Sequence, residues 1–158
     1  MNDSDFEDFS LLLISEPYLT RNQDGIYHAV PPFHPYWTPF LPESPEGNPR
    51  PRAILWTHKD IIARPILTGS TDIVALLIEL ETGPLLAISV YIPSKTSPED
   101  KELNDRLDII RKTIETTRRN HEKLVELLIA GDFNRHDQLW GGNTVVNSSR
   151  YREGEPII

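Results

Sequence analysis

The feature that most constrains the fold is an apolar run that stops abruptly at a polar tetrapeptide. Residues 127–130 predict a buried core strand, and Gly131 directly after them predicts the change to a loop. Because side chains alternate along a strand, Asp132 and Asn134 are expected on one face, with Phe133 turned back toward the core. A carboxylate and a carboxamide are therefore predicted side by side at the carboxyl end of a strand.

This acid and amide pair fits the hydrolysis of a phosphate ester. The carboxylate can orient an attacking water, and the amide can donate hydrogen bonds to a phosphoryl oxygen without adding charge. The same Gly-Asp-Phe-Asn segment is also good turn chemistry, since Gly permits unusual backbone angles and Asp and Asn bond their own backbone. Taken alone the four residues favour the turn, and further residues are needed to decide.

Two other apolar runs end in a similar way. Residues 11–14 lead into Ser15-Glu16-Pro17-Tyr18, and residues 85–90 lead into Tyr91-Ile92-Pro93. We therefore predict that three strand ends converge on one edge of the molecule. On their own these residues are ambiguous: Glu16 is as well explained as a solvated strand-end glutamate, and Tyr91 is ordinary strand material.

Taken together and in this order, these segments and residues 135–142 resemble the endonuclease/exonuclease/phosphatase superfamily. The likeness is particularly to the apurinic-type endonuclease domain of fungal non-LTR (LINE-type) retrotransposons, in which a His and a Trp-Gly pair follow the Gly-Asp-Phe-Asn box, as His136 and Trp140-Gly141 do here. The resemblance runs from about Leu11 to the last residue. It implies an α/β fold that is part of a four-layer α/β/β/α sandwich with mixed, largely antiparallel sheets.

The resemblance also implies roles for individual residues. Glu16 would hold a divalent cation, Mg²⁺ or alternatively Mn²⁺, which suits oxygen ligands and keeps several waters. Tyr91 would contact the phosphate or orient the nucleophile, Asp132 would position the water, and Asn134 would stabilise developing charge. Substrate contacts are further expected from His136, Arg135 and Ser94, the last at a position where relatives often carry asparagine.

The implied function is that of a Mg-dependent phosphodiesterase of retroelement origin that nicks DNA by attack of water. Two alternatives stay open: a catalytically inert remnant or binding module of the same fold, and a phosphatase of a small phosphoester. Whether the chain is an enzyme is also open, because the family's asparagine-bearing first strand and its final Ser-Asp-His box are not visible. The expected partners are DNA for the intact domain and a covalently linked reverse transcriptase in a longer ancestral chain.

Length and composition limit these predictions. At 158 residues we expect a single, incomplete domain, without disulfides or thiolate zinc sites because Cys is absent. The sequence contains no run of 18 apolar residues, so no membrane span is predicted. An intracellular protein is therefore expected, and a nuclear one if it is the product of a functional retroelement. A net charge of −8 lacks the basic footprint of a nucleic-acid binder, although a local set of arginines and a bound cation can dominate at a site.

The remaining segments are predicted to form the scaffold. Residues 31–51 contain eight prolines and predict a long irregular loop. Residues 73–80 and 85–90 flank a turn sequence and predict an antiparallel hairpin. Ser97 and Pro98 predict a helix start, and the spacing of the apolar residues after them predicts one buried helix face; these are Leu103, Leu107, Ile110 and Ile114.

Overall fold

The described part of the chain forms nine strands and one helix. A computed structural model describes residues 6, 8–31, 33–43, 49–94, 100–135 and 157. In chain order the elements are β1 (Leu11–Ser15), β2 (Leu19–Arg21), β3 (Tyr27–Ala29), β4 (Trp37–Phe40), β5 (Ala53–His58), β6 (Ala63–Ile66), β7 (Ile73–Leu80), β8 (Gly83–Tyr91), α1 (Lys101–Arg119) and β9 (Glu126–Asp132).

Two sheets pack face to face, and α1 covers the outer face of the larger one. The smaller sheet has the order β1-β5-β4 and the larger β6-β7-β8-β9, while β2 and β3 form a separate hairpin. All pairings are antiparallel except β8 with β9, which is parallel. Leu55 of β5 and Leu76 of β7 meet between the sheets, and Ile88 and Leu103 lie in the core beneath α1. The predicted mixed, largely antiparallel α/β architecture is confirmed.

The predicted hairpin is also confirmed. Strands β7 and β8 pair in continuous register from Ile73 opposite Val90 to Leu80 opposite Gly83. Most of β7 and β8 is buried, since the smaller sheet covers one face and α1 the other. This hairpin forms the centre of the fold.

The sequence predicted that the proline-rich segment is an irregular loop, but part of it forms a strand. Strand β4 lies within it and pairs with β5, with Pro39 opposite Trp56. The proline is tolerated because β4 is at the edge of its sheet, where one side of the backbone needs no partner. Trp37, in the same strand, is buried in a cluster with Ile54 and Trp56. The gain from burying this aromatic side chain stabilises the strand despite the proline.

The predicted helix start was wrong by three residues. Helix α1 begins at Lys101 with Asp100 as its N-cap; Ser97 and Pro98 lie outside the described residues. Asp100 has a left-handed backbone (φ 46°) and makes no side-chain cap hydrogen bond, because its carboxylate pairs with Arg135. The predicted apolar face is confirmed, with Leu103 and Ile110 buried. No helix among the described residues is long and apolar enough to cross a membrane.

Strand β9 was predicted to be buried, and it is more exposed than that. It is the edge strand of the larger sheet in the described part of the chain, and Leu127 and Leu128 are each 38% exposed. Ile129 and Phe133 do pack against the core under α1, as the alternation of side chains predicted for Phe133. The apolar run therefore predicted a strand correctly but not its position in the sheet, since an apolar strand can lie at a centre or at an edge.

Candidate active site at three strand ends

The ends of β1, β8 and β9 lie together and bring three predicted site residues to one place. Tyr91 of β8 is the register partner of Asp132 of β9. The carboxylates of Asp132 and of Glu16, which directly follows β1, lie close enough to the Tyr91 phenol to raise its pKa. Glu16 and Asp132 are both exposed. Two exposed carboxylates and a largely buried tyrosine thus meet at the ends of three strands that are far apart in sequence.

The backbone at Glu16 has an uncommon conformation. Its φ of 50° lies in the left-handed region, which a residue other than Gly seldom adopts. The amide of Glu16 donates to the carbonyl of Arg52 at 2.7 Å, and Arg50 Nη2 donates to the carbonyl of Pro17 at 3.1 Å, so both sides of the turn are held. Such backbone strain persists only where the surroundings enforce it, and it is concentrated at functional sites. The turn directs the Glu16 carboxylate toward the ends of the other two strands.

The phenol of Tyr91 is held in its neutral form at this site. Burial raises the pKa of its phenol above the usual value of 10.0, and the hydrogen bond to Glu16 raises it further. Arg52 acts in the opposite direction, with its guanidinium carbon 4.8 Å from the centroid of the Tyr91 ring. The phenol therefore stays neutral at physiological pH, next to the carboxylate of Glu16.

Arg52 is held over Tyr91 by a buried carboxylate that sequence reasoning did not single out. Asp72 is 2% exposed at its side chain and accepts two hydrogen bonds of 2.8 Å from Arg52. Arg106 of α1 binds the same carboxylate at 2.6 Å. Burial alone would lower the pKa of Arg52, but the contacts with Asp72 outweigh it and raise the pKa. No local sequence signal identifies this trio, because Arg52 and Arg106 lie 20 and 34 positions from Asp72 in sequence.

Gly131 allows β9 to approach β8 closely just before Asp132. Its φ is 154°, and a Cβ built on it would lie 1.8 Å from the carbonyl oxygen of Val90. No side chain fits at that distance, so this position requires Gly. The glycine that marked the end of a strand in the sequence is therefore part of the geometry that places Asp132.

Asn134 takes part in the turn that the alternative interpretation of the motif described. Its backbone is left-handed (φ 48°), and its N–H donates to Oδ1 of Asp132 at 2.8 Å. Its side-chain Nδ2 donates to the carbonyl of Ile92 at 3.0 Å, and its Oδ1 accepts from Ser94 Oγ at 3.3 Å. The turn and the cluster of polar groups thus coexist, because Asn134 and Ser94 secure the loop while Asp132 remains exposed.

Arg135 was predicted to contact substrate, but in the structure its side chain is buried. Its side chain is fully buried and pairs with Asp100. Nη1 also donates to the carbonyls of Pro93 and Asn134, at 2.8 and 2.9 Å. The guanidinium therefore fixes the loop after β9 to the start of α1 and offers no exposed group to a substrate. His136, the neighbouring predicted contact, lies outside the described residues.

The donor set fits a magnesium ion rather than a softer metal. No cluster of three or more His, Cys, Asp or Glu residues suited to a metal occurs in the part of the chain that the structure describes. Glu16 and Asp132 nevertheless supply two exposed carboxylates near one phenol. Mg²⁺ is commonly held by one or two carboxylates together with waters and substrate phosphate, so a larger protein cage is not required.

Comparisons with known proteins agree with this geometry. Residues 85–158 match the model of a family described as endonuclease-reverse transcriptase. Among solved structures, the chain is similar to the endonuclease domain of TRAS1, a telomere-specific non-LTR retrotransposon, with a TM-score of 0.60 and 18% identity. The fold is similar to that of the TRAS1 endonuclease domain. The resemblance expected from the strand-end motifs is thereby confirmed.

The match to this endonuclease fold is partial in length. It covers 87% of this chain and 52% of the TRAS1 chain, so the chain spans about half the length of the solved structure that it matches. A search of the curated proteins finds no match. The three strand ends described above all lie within the described residues.

Proposed function

We propose that this chain carries the catalytic edge of a magnesium-dependent phosphodiesterase that nicks DNA. The observation that supports this most directly is the meeting of Glu16, Tyr91 and Asp132 at one edge of an endonuclease-type fold. The roles proposed for these residues follow from their chemistry and exposure. The partner proposed with it is a reverse transcriptase in a longer chain, in keeping with the matched family's description.

In this proposal each side chain has a separate task. Glu16 and Asp132 would hold Mg²⁺, which would polarise the phosphate and lower the pKa of a water. Asp132 would accept a proton from the attacking water through the carboxylate oxygen that does not bind the Asn134 amide. Tyr91, neutral and donating, would keep the Glu16 carboxylate in place and offer its hydroxyl to a phosphate oxygen.

A second candidate, an inert binding module of this fold, also has a specific observation in its favour. The side chain of Asn134, the residue proposed to stabilise developing charge, is engaged by Ile92 and Ser94 within the loop. In a nuclease this amide would have to turn toward the phosphate when substrate binds. In a binding module it would stay where the structure has it, and the acidic pair would have no catalytic task.

Nicking of supercoiled plasmid tests the proposal. The wild-type chain is expected to convert supercoiled to open-circular DNA only with Mg²⁺ or Mn²⁺, and Asp132→Asn is expected to abolish the reaction. Asp60→Asn is the matched control, because Asp60 is an exposed aspartate beyond the far end of β5. It should nick as the wild type does.

Each other outcome would replace the proposal. Binding of DNA without nicking would favour the inert module. Hydrolysis of a nucleotide monoester but not of plasmid would favour a phosphatase of small phosphoesters. Nicking that survives in Asp132→Asn would show that the reaction does not use this site.

A further inference from the structure

We propose that Ser15 is a positioning residue whose hydroxyl ties together the three strands that carry Glu16, Tyr91 and Asp132. The inference rests on the proposed function for its catalytic consequence, but its structural part stands separately. Ser15 is the last residue of β1 and directly precedes Glu16.

The hydroxyl of Ser15 takes part in two hydrogen bonds that both cross between sheets. Its Oγ donates to the carbonyl of Val90 on β8 at 3.0 Å, and it accepts from the backbone N–H of Asp132 on β9 at 3.0 Å. These partners are 75 and 117 residues away in sequence. Val90 directly precedes Tyr91, and Ser15 directly precedes Glu16. The one hydroxyl therefore links the backbone next to Glu16 with the backbone next to Tyr91 and with the backbone of Asp132.

These bonds add directional contacts at the end of β1 to an interface whose core is apolar. The sheets meet mainly through apolar side chains, such as Leu13 and Leu55 of the smaller sheet with Leu76 and Ala87 of the larger. Burial of apolar surface is non-directional, so it holds the sheets together without fixing a small displacement along the strands. A hydrogen bond weakens when its length or angle changes, and two of them at one atom fix the end of β1.

Serine suits this position because a hydroxyl both donates and accepts. Alanine would leave the Asp132 amide without this partner, and cysteine would supply only a weak donor and acceptor. Threonine keeps the hydroxyl and adds one methyl group, so it is the conservative test of the role.

The expected consequence is a loss of catalytic alignment greater than the loss of stability. Loss of a residue that orients metal ligands commonly lowers metal affinity or activity about 10- to 100-fold. We expect Ser15→Ala to lower kcat and magnesium affinity within that range and to leave KM for plasmid within about twofold, since contacts with distant DNA are unchanged. Ser15→Thr should recover most of the loss.

The experiment compares Ser15→Ala, Ser15→Thr and a control, Ser89→Ala, in the full chain. Ser89 is a fully buried serine of β8 whose hydroxyl has no partner within the described structure, so its removal tests the loss of a buried hydroxyl alone. The measurements are kcat and KM for nicking, magnesium affinity by calorimetry, and amide hydrogen exchange at Asp132 by NMR. Ser15→Ala alone should accelerate exchange at Asp132.

The outcomes separate this proposal from the proposed function. If the wild type does not nick, the proposed function fails, while exchange at Asp132 and magnesium affinity still test Ser15. Wild-type exchange at Asp132 in Ser15→Ala would overturn the positioning role. So would a loss of kcat that Ser89→Ala reproduces, or a loss that a folded Ser15→Thr does not recover.

Discussion

The buried carboxylate of Asp72 gives the sharpest prediction about stability. It accepts hydrogen bonds from Arg52 at 2.8 Å and from Arg106 at 2.6 Å. It therefore joins the residue just before β5 to the start of β7 and to α1. Its own backbone carbonyl accepts from the Tyr91 amide at 2.8 Å. Asp72→Ala would leave two guanidinium groups facing each other with no anion between them.

The size of the effect follows from burial. Removing one partner of a buried ion pair typically costs about 3–5 kcal/mol, because the other charge is left uncompensated. Asp72 is 2% exposed, but the side chains of Arg52 and Arg106 are 36% and 21% exposed, so water can partly resolvate them. We therefore expect the lower end, about 3 kcal/mol. With a urea m-value of about 2 kcal/mol/M, the midpoint should fall by about 1.5 M.

Urea unfolding followed by tryptophan fluorescence measures this, since Trp37 and Trp56 are buried in the smaller sheet. The matched control is Glu79→Ala, which removes the exposed pair with Arg64 near the other end of β7. Exposed pairs contribute about 0–1 kcal/mol, so the control midpoint should move by less than about 0.5 M. Equal shifts in the two variants would refute the reasoning, because burial would then not set the cost.

Two further predictions concern the strand ends. Gly131→Ala should destabilise the chain by about 3 kcal/mol or more, because its Cβ would lie 1.8 Å from the Val90 carbonyl at a φ of 154°; a urea midpoint like that of the wild type would contradict this. In metal-free buffer, the phenol of Tyr91 should titrate above 10.0, and its signal is identified by difference from Tyr91→Phe. Glu16→Gln should lower the pKa of Tyr91 because a nearby negative charge is lost. Because folding raises the pKa of Tyr91, its neutral phenol contributes to the free energy of unfolding. This contribution is complete below pH 10 and is lost as the pH rises through the folded pKa. An unchanged titration in Glu16→Gln would show that the two groups are not in contact.

Much of the fold could be predicted because local patterns carry it. The hairpin of β7 and β8 and the buried face of α1 follow from periodicity in the residues themselves. The start of α1 could not be predicted in this way. The carboxylate of Asp100 binds Arg135, a residue 35 positions away, and does not cap the helix.

For the site, the sequence by itself determined which polar residues stand at strand ends: Glu16, Tyr91 and Asp132. Strand alternation and abrupt apolar boundaries are local properties, so they can be read without coordinates. Only the tertiary structure decided that Arg135 is buried, that β9 is the edge strand among the described residues, that Ser15 joins separate strands, and that Asp72 joins Arg52 to α1. Those facts depend on pairing between distant segments, and no local pattern specifies which donor meets which acceptor once the chain has folded.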